Sequence, residues 1–292
     1  MGRGAGRLRD PAGRLLAGHP GAGHGDRGSR ASAEGGCRLT VLQLERHIIY
    51  GPVYSRRLGR SLGINLLPAE QKVCSFDCSY CHYGPTDVRT LRPRWEGFPR
   101  VQEVVTALRA ALGRHADVDY LTFSGNGEPT LHPHFPVVVA EVAALRDALA
   151  PRARLAIFSN STTAGREEIR RALARCDVPI MKLDAVEDEL FAHINRPVSG
   201  ISPASVVESL EALPRLVIQT VFIDGTLCNY EGAPFEAWLG VLQRLRPLHV
   251  QIYSTDRPVA GPGVQRVLPY VLERLATAAR ERTGLDVQAY YF

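Results

Sequence analysis

Apolar positions fall in short continuous runs that alternate with stretches of helical period. Ser61 to Leu67, Tyr120 to Ser124, Arg154 to Ser159, Val178 to Asp184, Arg215 to Ile223 and Leu248 to Tyr253 each read as a strand buried on both faces. Between them, Val101 to Gly113 places Val104, Val105, Leu108 and Leu112 on one helical face. Phe135 to Leu149, Gly165 to Arg175, Val186 to Ile194, Pro203 to Leu213, Pro234 to Leu245 and Val264 to Arg282 read as further helices. Leu285 to Tyr291 reads as a last extended segment, and Thr40 to Tyr50 alternates. Apolar strands alternating with helices predict an α/β fold, a parallel sheet with helices outside. A closed-in (β/α)6 barrel and a doubly wound open sheet both fit the pattern.

The first 36 residues break this rhythm. They are rich in Gly, Arg and Ala with few large apolar residues, so they cannot bury enough surface to offset ordering. They are expected to form a disordered tail, with the folded domain spanning residues 37–292. The chain carries a formal charge of +5, and six arginines against three acids put +3 of it in the tail. The body is left nearly neutral, which gives little electrostatic support to nucleic-acid binding. No apolar run is long enough to span a membrane, and the expected setting is the cytoplasm.

The chemistry concentrates in Cys74-Ser75-Phe76-Asp77-Cys78-Ser79-Tyr80-Cys81. Three of the six cysteines stand here at C-x3-C-x2-C spacing, while Cys37, Cys176 and Cys228 are single. Three thiolates on one loop can each hold one iron of a [4Fe-4S] cube and leave the fourth iron open to a ligand. Cys78 to His82 also spells the C-x-x-C-H string of haem attachment. Zinc on the three cysteines and a distant fourth ligand is another reading. A non-enzymatic electron-transfer or metal-binding protein would use the same cysteines.

The strands end in polar residues: Gly125-Asn126-Gly127-Glu128-Pro129, Ser159-Asn160, Lys182 with Asp184, Gln219, and Gln251 with Tyr253. Function gathers at carboxyl strand ends in either parallel arrangement. Helix capping explains any one such residue, but a buried Lys182 needs a partner.

The cysteine spacing, the aromatic Tyr80 before the last cysteine and the G-x-G-E-P loop about 45 residues on together resemble the radical S-adenosylmethionine (radical SAM) enzymes. The strings Gly51 to Pro68, Lys182 to Ala185, Ile194 to Pro197 and Gln251 to Ser254 resemble its Fe-S oxidoreductase branch, loosely akin to the wyosine-forming tRNA enzymes. The resemblance implies a partial (β/α)6 barrel and a [4Fe-4S] cluster on Cys74, Cys78 and Cys81. It also implies S-adenosyl-L-methionine cleaved to a 5′-deoxyadenosyl radical. Gly125, Asn126, Gly127, Glu128, Ser159, Asn160 and Tyr80 would contact that cofactor, and Lys182 and Asp184 would line the substrate cavity. The implied partners are a reductant such as flavodoxin or ferredoxin and an unidentified substrate, RNA among the options.

Overall fold

A computed structural model describes residues 41–256, 259, 261 and 263–291. The predicted tail, Cys37 and the first residues of the expected domain lie outside them. The chain opens with β1 (Ile49–Ser55), β2 (Gly59–Ile64), β3 (Val73–Cys74) and β4 (Val88–Arg89). It continues through α1 (Val101–Leu112), β5 (Tyr120–Phe123), α2 (Phe135–Leu149), β6 (Arg154–Ser159), α3 (Glu167–Leu173) and β7 (Val178–Lys182). Then come α4 (Asp188–Ile194), α5 (Pro203–Glu211), β8 (Val217–Val221), β9 (Ile223–Gly225) and α6 (Gly232–Leu245). The last elements are β10 (His249–Tyr253), β11 (Val264–Arg266), α7 (Pro269–Thr283) and β12 (Val287–Tyr290).

Eight strands form one sheet in the order β1-β2-β5-β6-β7-β8-β10-β12. Only β1 runs antiparallel to its neighbour; the rest are parallel. Six β/α units and a seventh parallel strand curl into a half-barrel, the architecture predicted. The strands bury both faces, which is why they read as unbroken apolar runs. Leu155 and Ile157 of β6 join the large core under the helices. Ala156 between them joins Leu58, Val178, Ile180 and Val217 in a second core inside the curl. Among the described residues no helix is long and apolar enough to cross a membrane.

Two elements differ from expectation. Gly51 to Arg60 is a hairpin, β1 turning into β2, which the pattern does not announce. Its outer strand is half exposed and its register shifts between Tyr50 and Val53, so no clean alternation survives. Val264 to Arg266 is a strand paired antiparallel with β9, and the helix begins at Pro269. A proline suits the first turn of a helix and holds the residue before it extended, as Leu268 is.

The outer packing includes a carboxylate with a measurable pH signature. Asp177 accepts the N–H of Leu155 at 2.7 Å and the Arg146 guanidinium at 2.7 Å. Burial pushes its carboxyl up, but these two donors pull it further down, below the usual value. A depressed folded value means the stabilisation is complete above about pH 4, where Asp titrates when unfolded. It is lost as pH falls through the folded value. Urea denaturation between pH 7 and pH 3 should therefore show the gap between wild type and Asp177→Asn closing below about pH 4. A gap independent of pH would contradict this role.

Candidate active site

The cysteine loop follows β2 at the carboxyl end of the sheet and is held almost wholly by other segments. On one side Val73 donates to the Asn126 carbonyl at 3.0 Å and accepts from the Glu128 N–H at 3.1 Å. Gly127, at φ +136°, lies so close that a Cβ on it would stand 1.9 Å from the Val73 carbonyl oxygen. Its lack of a side chain thus serves contact between the two loops. On the other side Asp77 donates to the Asn195 carbonyl at 3.0 Å, Ser79 to that of Ile194 at 2.8 Å, and Val198 to that of Ser75 at 2.9 Å. Phe76 packs edge-on against Phe191 of α4, with centroids 5.4 Å apart. Beneath the loop, buried Lys72 donates to the Gly84 carbonyl at 2.6 Å, and the Thr86 N–H donates to Asp77 at 2.7 Å.

The sulfurs face N–H donors. Cys74 Sγ accepts from the Phe76 N–H at 3.4 Å and from Asn160 Nδ2 at 3.4 Å; Cys78 Sγ accepts from Asn195 Nδ2 at 3.6 Å. Burial pushes both thiols up, with Cys78 reaching about 12; the neighbouring Cys78 and Glu128 add to the rise at Cys74, and Asp184 and Cys81 to that at Cys78. A bound metal removes that proton and replaces the missing charge. All five described cysteines are free thiols. Among the described residues no three His, Cys, Asp or Glu side chains converge on a single-ion site. A cube, in which each thiolate takes its own iron, does not require them to. The donor set and the N–H groups aimed at sulfur therefore fit an iron-sulfur cluster.

The glycine loop and the β6 end meet directly below. The Glu128 carboxylate is buried and accepts from Thr130 N–H and Oγ1, Ser159 Oγ at 2.9 Å and the Asn160 N–H at 2.6 Å. Burial pushes its carboxyl up, while the Asn160 and Thr130 donors draw it down. Asn126 is fully buried, accepting from the Glu45 N–H at 2.7 Å and donating to the carbonyls of Glu45 and Pro68. Asn160 donates to Cys74 and to Ser75 Oγ at 2.8 Å. The side chains of Asn126, Glu128, Ser159 and Asn160 therefore bind protein partners in this structure. They set the position of the loop backbone from Gly125 to Gly127 beside Cys74.

Lys182 and Asp184 come together at the β7 end. Lys182 Nζ lies 2.9 Å from Asp184 Oδ1 and 2.9 Å from the Tyr253 hydroxyl. It also sits 5.1 Å from the Tyr80 ring centroid and 4.8 Å from that of Tyr253. Asp184 accepts further bonds from the Val221 N–H at 2.9 Å, Asn195 Nδ2 at 2.9 Å and the Tyr80 hydroxyl. Burial lowers the ammonium's proton affinity, but Asp184 and Tyr253 raise it more, so Lys182 stays charged. Tyr80 is pushed well up by burial and by Asp184. Gln219, beside Lys182 in the sheet, bonds Gln251 at 3.0 Å.

Lys72 and Asn195 belong to this neighbourhood without having been singled out as site residues, whereas Arg57 stands in the Arg56, Arg57 and Arg60 cluster ahead of the first predicted strand, which reads either as a grip for a substrate phosphate or carboxylate or as a solvated basic face. Asn195 stands within the Ile194 to Pro197 string, but its contact with Cys78 depends on a loop more than a hundred residues away. The other cysteines lie apart: Cys176 is buried in the outer core and Cys228 half-buried near α6. His132 is turned inward to the Pro99 carbonyl at 2.8 Å. Arg60 pairs with Asp117 at the amino end of β2, away from the cysteines.

A half-barrel with a three-cysteine loop after its first parallel strand and a glycine loop after its second defines the radical SAM class of enzymes. The chain belongs to the radical SAM superfamily, whose description it matches over residues 71–231. It is 36% identical to a UPF0026 protein of Methanocaldococcus jannaschii over 233 residues, covering 77% of this chain and 68% of that protein. Its fold is similar to Streptococcus suis SuiB bound to S-adenosylmethionine, with TM-score 0.56 and 13% identity over 78% of this chain. That match covers 50% of SuiB, so the chain spans about half the length of that neighbour. It is also similar to TYW1 with a lysine-pyruvate adduct bound, with TM-score 0.53 and 13% identity over 76% of this chain and 73% of that one. At such identities the likeness is one of fold.

Replacing Lys182 by Met leaves Asp184 buried with its charge uncompensated. Urea denaturation of Lys182→Met should show a loss of about 3–5 kcal/mol. A loss under about 1 kcal/mol, the scale of a surface pair, would show that Asp184 does not depend on Lys182.

Proposed function

We propose that this radical SAM enzyme carries a [4Fe-4S] cluster on Cys74, Cys78 and Cys81 and uses it to cleave S-adenosylmethionine reductively. The observation that carries the reading is the set of N–H donors from Phe76, Asn160 and Asn195 at two of the three sulfurs. Such donors stabilise negative charge on thiolate sulfur. Cys74, Cys78 and Cys81 would hold the cluster, which when bound would supply the one electron that cleaves S-adenosylmethionine to methionine and a 5′-deoxyadenosyl radical. The protein's part is position and exclusion of water.

Each residue set has a task in that scheme. Asn160 and Asn195 hold Cys74 and Cys78 from opposite sides, which fixes the loop's orientation over the curl of the sheet. The Gly125 to Gly127 backbone, held in place by Asn126 and Glu128, would pack against the methionine end of the cofactor. Tyr80, Asp184 and Lys182 form the wall between the cysteine loop and the lumen, where the substrate would lie. Lys182 is already bonded to Asp184 and Tyr253, so it acts as a fixed charge and hydrogen-bond donor. The electron comes from a flavodoxin- or ferredoxin-like donor, and a reducing cytoplasm suits the free thiols.

Anaerobic reconstitution should load about four irons per chain with a broad absorption at the blue end of the visible range. Cys74→Ala, Cys78→Ala and Cys81→Ala should each abolish it, while Cys176→Ala keeps it. Dithionite-reduced protein should release methionine and 5′-deoxyadenosine, and Cys78→Ala none. Stoichiometric zinc in place of iron would refute the cluster. A 3-amino-3-carboxypropyl product would keep the cofactor and change the bond that breaks.

A second prediction concerns the contact between loops. Gly127→Ala places a methyl group against the Val73 carbonyl. It should lower both iron content and melting temperature. Unchanged iron content in the folded variant would remove Gly127 from the scaffold of the cluster loop.

A further inference from the structure

Among the described residues, the half-buried Arg57 guanidinium on the inside of the sheet belongs to no ion pair. The turn between β1 and β2 is braced by Ser55 Oγ, which accepts the N–H groups of Arg57 at 3.2 Å and Leu58 at 3.3 Å. Leu58, buried against Ala156, Val178, Ile180 and Val217, closes the floor of the lumen. The neighbouring Arg57 guanidinium carbon stands 4.9 Å from the Tyr253 ring centroid and 5.9 Å from that of Phe158. Its Nη1 is buried and has no hydrogen-bond partner. Lys182 lies against the same Tyr253 ring, 4.8 Å from its centroid.

The carboxylate at the β7 end is already committed. Asp184 takes bonds from Lys182, Tyr80, Asn195 and Val221 and offsets the charge of Lys182. None of the ion pairs among the described residues uses Arg57. The aromatic faces attract a guanidinium but accept none of its in-plane hydrogen bonds. A water molecule would satisfy Nη1 and leave the charge in place. Arg57 itself is half-buried, but its Nη1 is out of water, and a donor left unmatched there is unfavourable.

We infer that the lumen takes its substrate by a carboxylate, bound by Arg57, with the rest of the substrate extending past Tyr253 and Lys182 toward the cysteine loop. This rests on reading the lumen as the chamber of a radical SAM enzyme. One unpaired positive charge between two aromatic rings matches a planar monoanion, and the guanidinium fork pairs a carboxylate through two parallel bonds. A phosphate dianion brings a second charge and a heavier hydration shell, and only the already paired Lys182 would meet it.

The test needs no turnover. Melting temperatures of the full-length reconstituted protein are measured in sodium acetate, inorganic phosphate and sodium chloride at matched ionic strength. Acetate at tens of millimolar should raise the wild-type value by about 2 °C or more over chloride. Arg57→Gln should lose that response and melt higher than wild type in chloride, because it removes an unpaired charge. Arg57→Lys, which keeps the charge without the fork, should keep less than half of the response. A response to phosphate and not to acetate would overturn the carboxylate, and no anion response with Arg57→Gln melting lower would make Arg57 structural. Iron content and S-adenosylmethionine binding of the wild-type protein are read separately. Their absence would refute the proposed function, whereas the acetate response reads Arg57 alone.

Discussion

One buried carboxylate joins the parts of this protein that chemistry would need together. Asp184 receives a backbone N–H from β8, an amide from the Ile194 to Pro197 segment, a hydroxyl from the cysteine loop and an ammonium from the end of β7. Four donors from four places converge on two oxygens. In a medium of low polarity each bond is strong, and each would be expensive to leave unmade. The cysteine loop has few bonds of its own, so its position over the sheet depends on this convergence.

A second carboxylate does the same on the other flank. Glu128 gathers the turn after the glycine loop and the end of β6, and Asn160 extends that anchor to Cys74 and Ser75. The two flanks grip the loop from opposite sides, each ending in an amide aimed at a sulfur. Rigid placement of sulfur donors is what a metal centre requires of its surroundings. Side chains that family resemblance assigns to cofactor contact here serve as the frame that holds the glycine loop against the cysteine loop.

The inside of the sheet is divided by height. At the amino ends of the strands it is apolar and closed by Leu58. At the carboxyl ends it becomes polar, through Lys182, Gln219, Gln251 and Tyr253. The hairpin inserts Arg57 across this boundary.

The strands, most helices and the parallel sheet are legible in the amino-acid sequence because burial on both faces leaves continuous apolar runs, a local signal. The cysteine loop is legible for the same reason: C-x3-C-x2-C keeps its three thiols within eight residues. The polar strand ends mark the functional edge, since parallel strands all finish on one side. What lies beyond the sequence alone is everything made by residues far apart in the chain. Asn195 meets Cys78 across a separation of 117 residues, and Tyr80 meets Asp184 across 104. The β1–β2 hairpin leaves no trace because its outer strand is half exposed and its register is broken. The sequence by itself determined which residues could bind a cluster and on which edge of the sheet they would lie. Only the tertiary structure decided that Glu128 and Asn126 face inward, that Lys182 is paired with Asp184, and that Arg57 enters none of the described ion pairs, because pairing depends on distances that only folding sets.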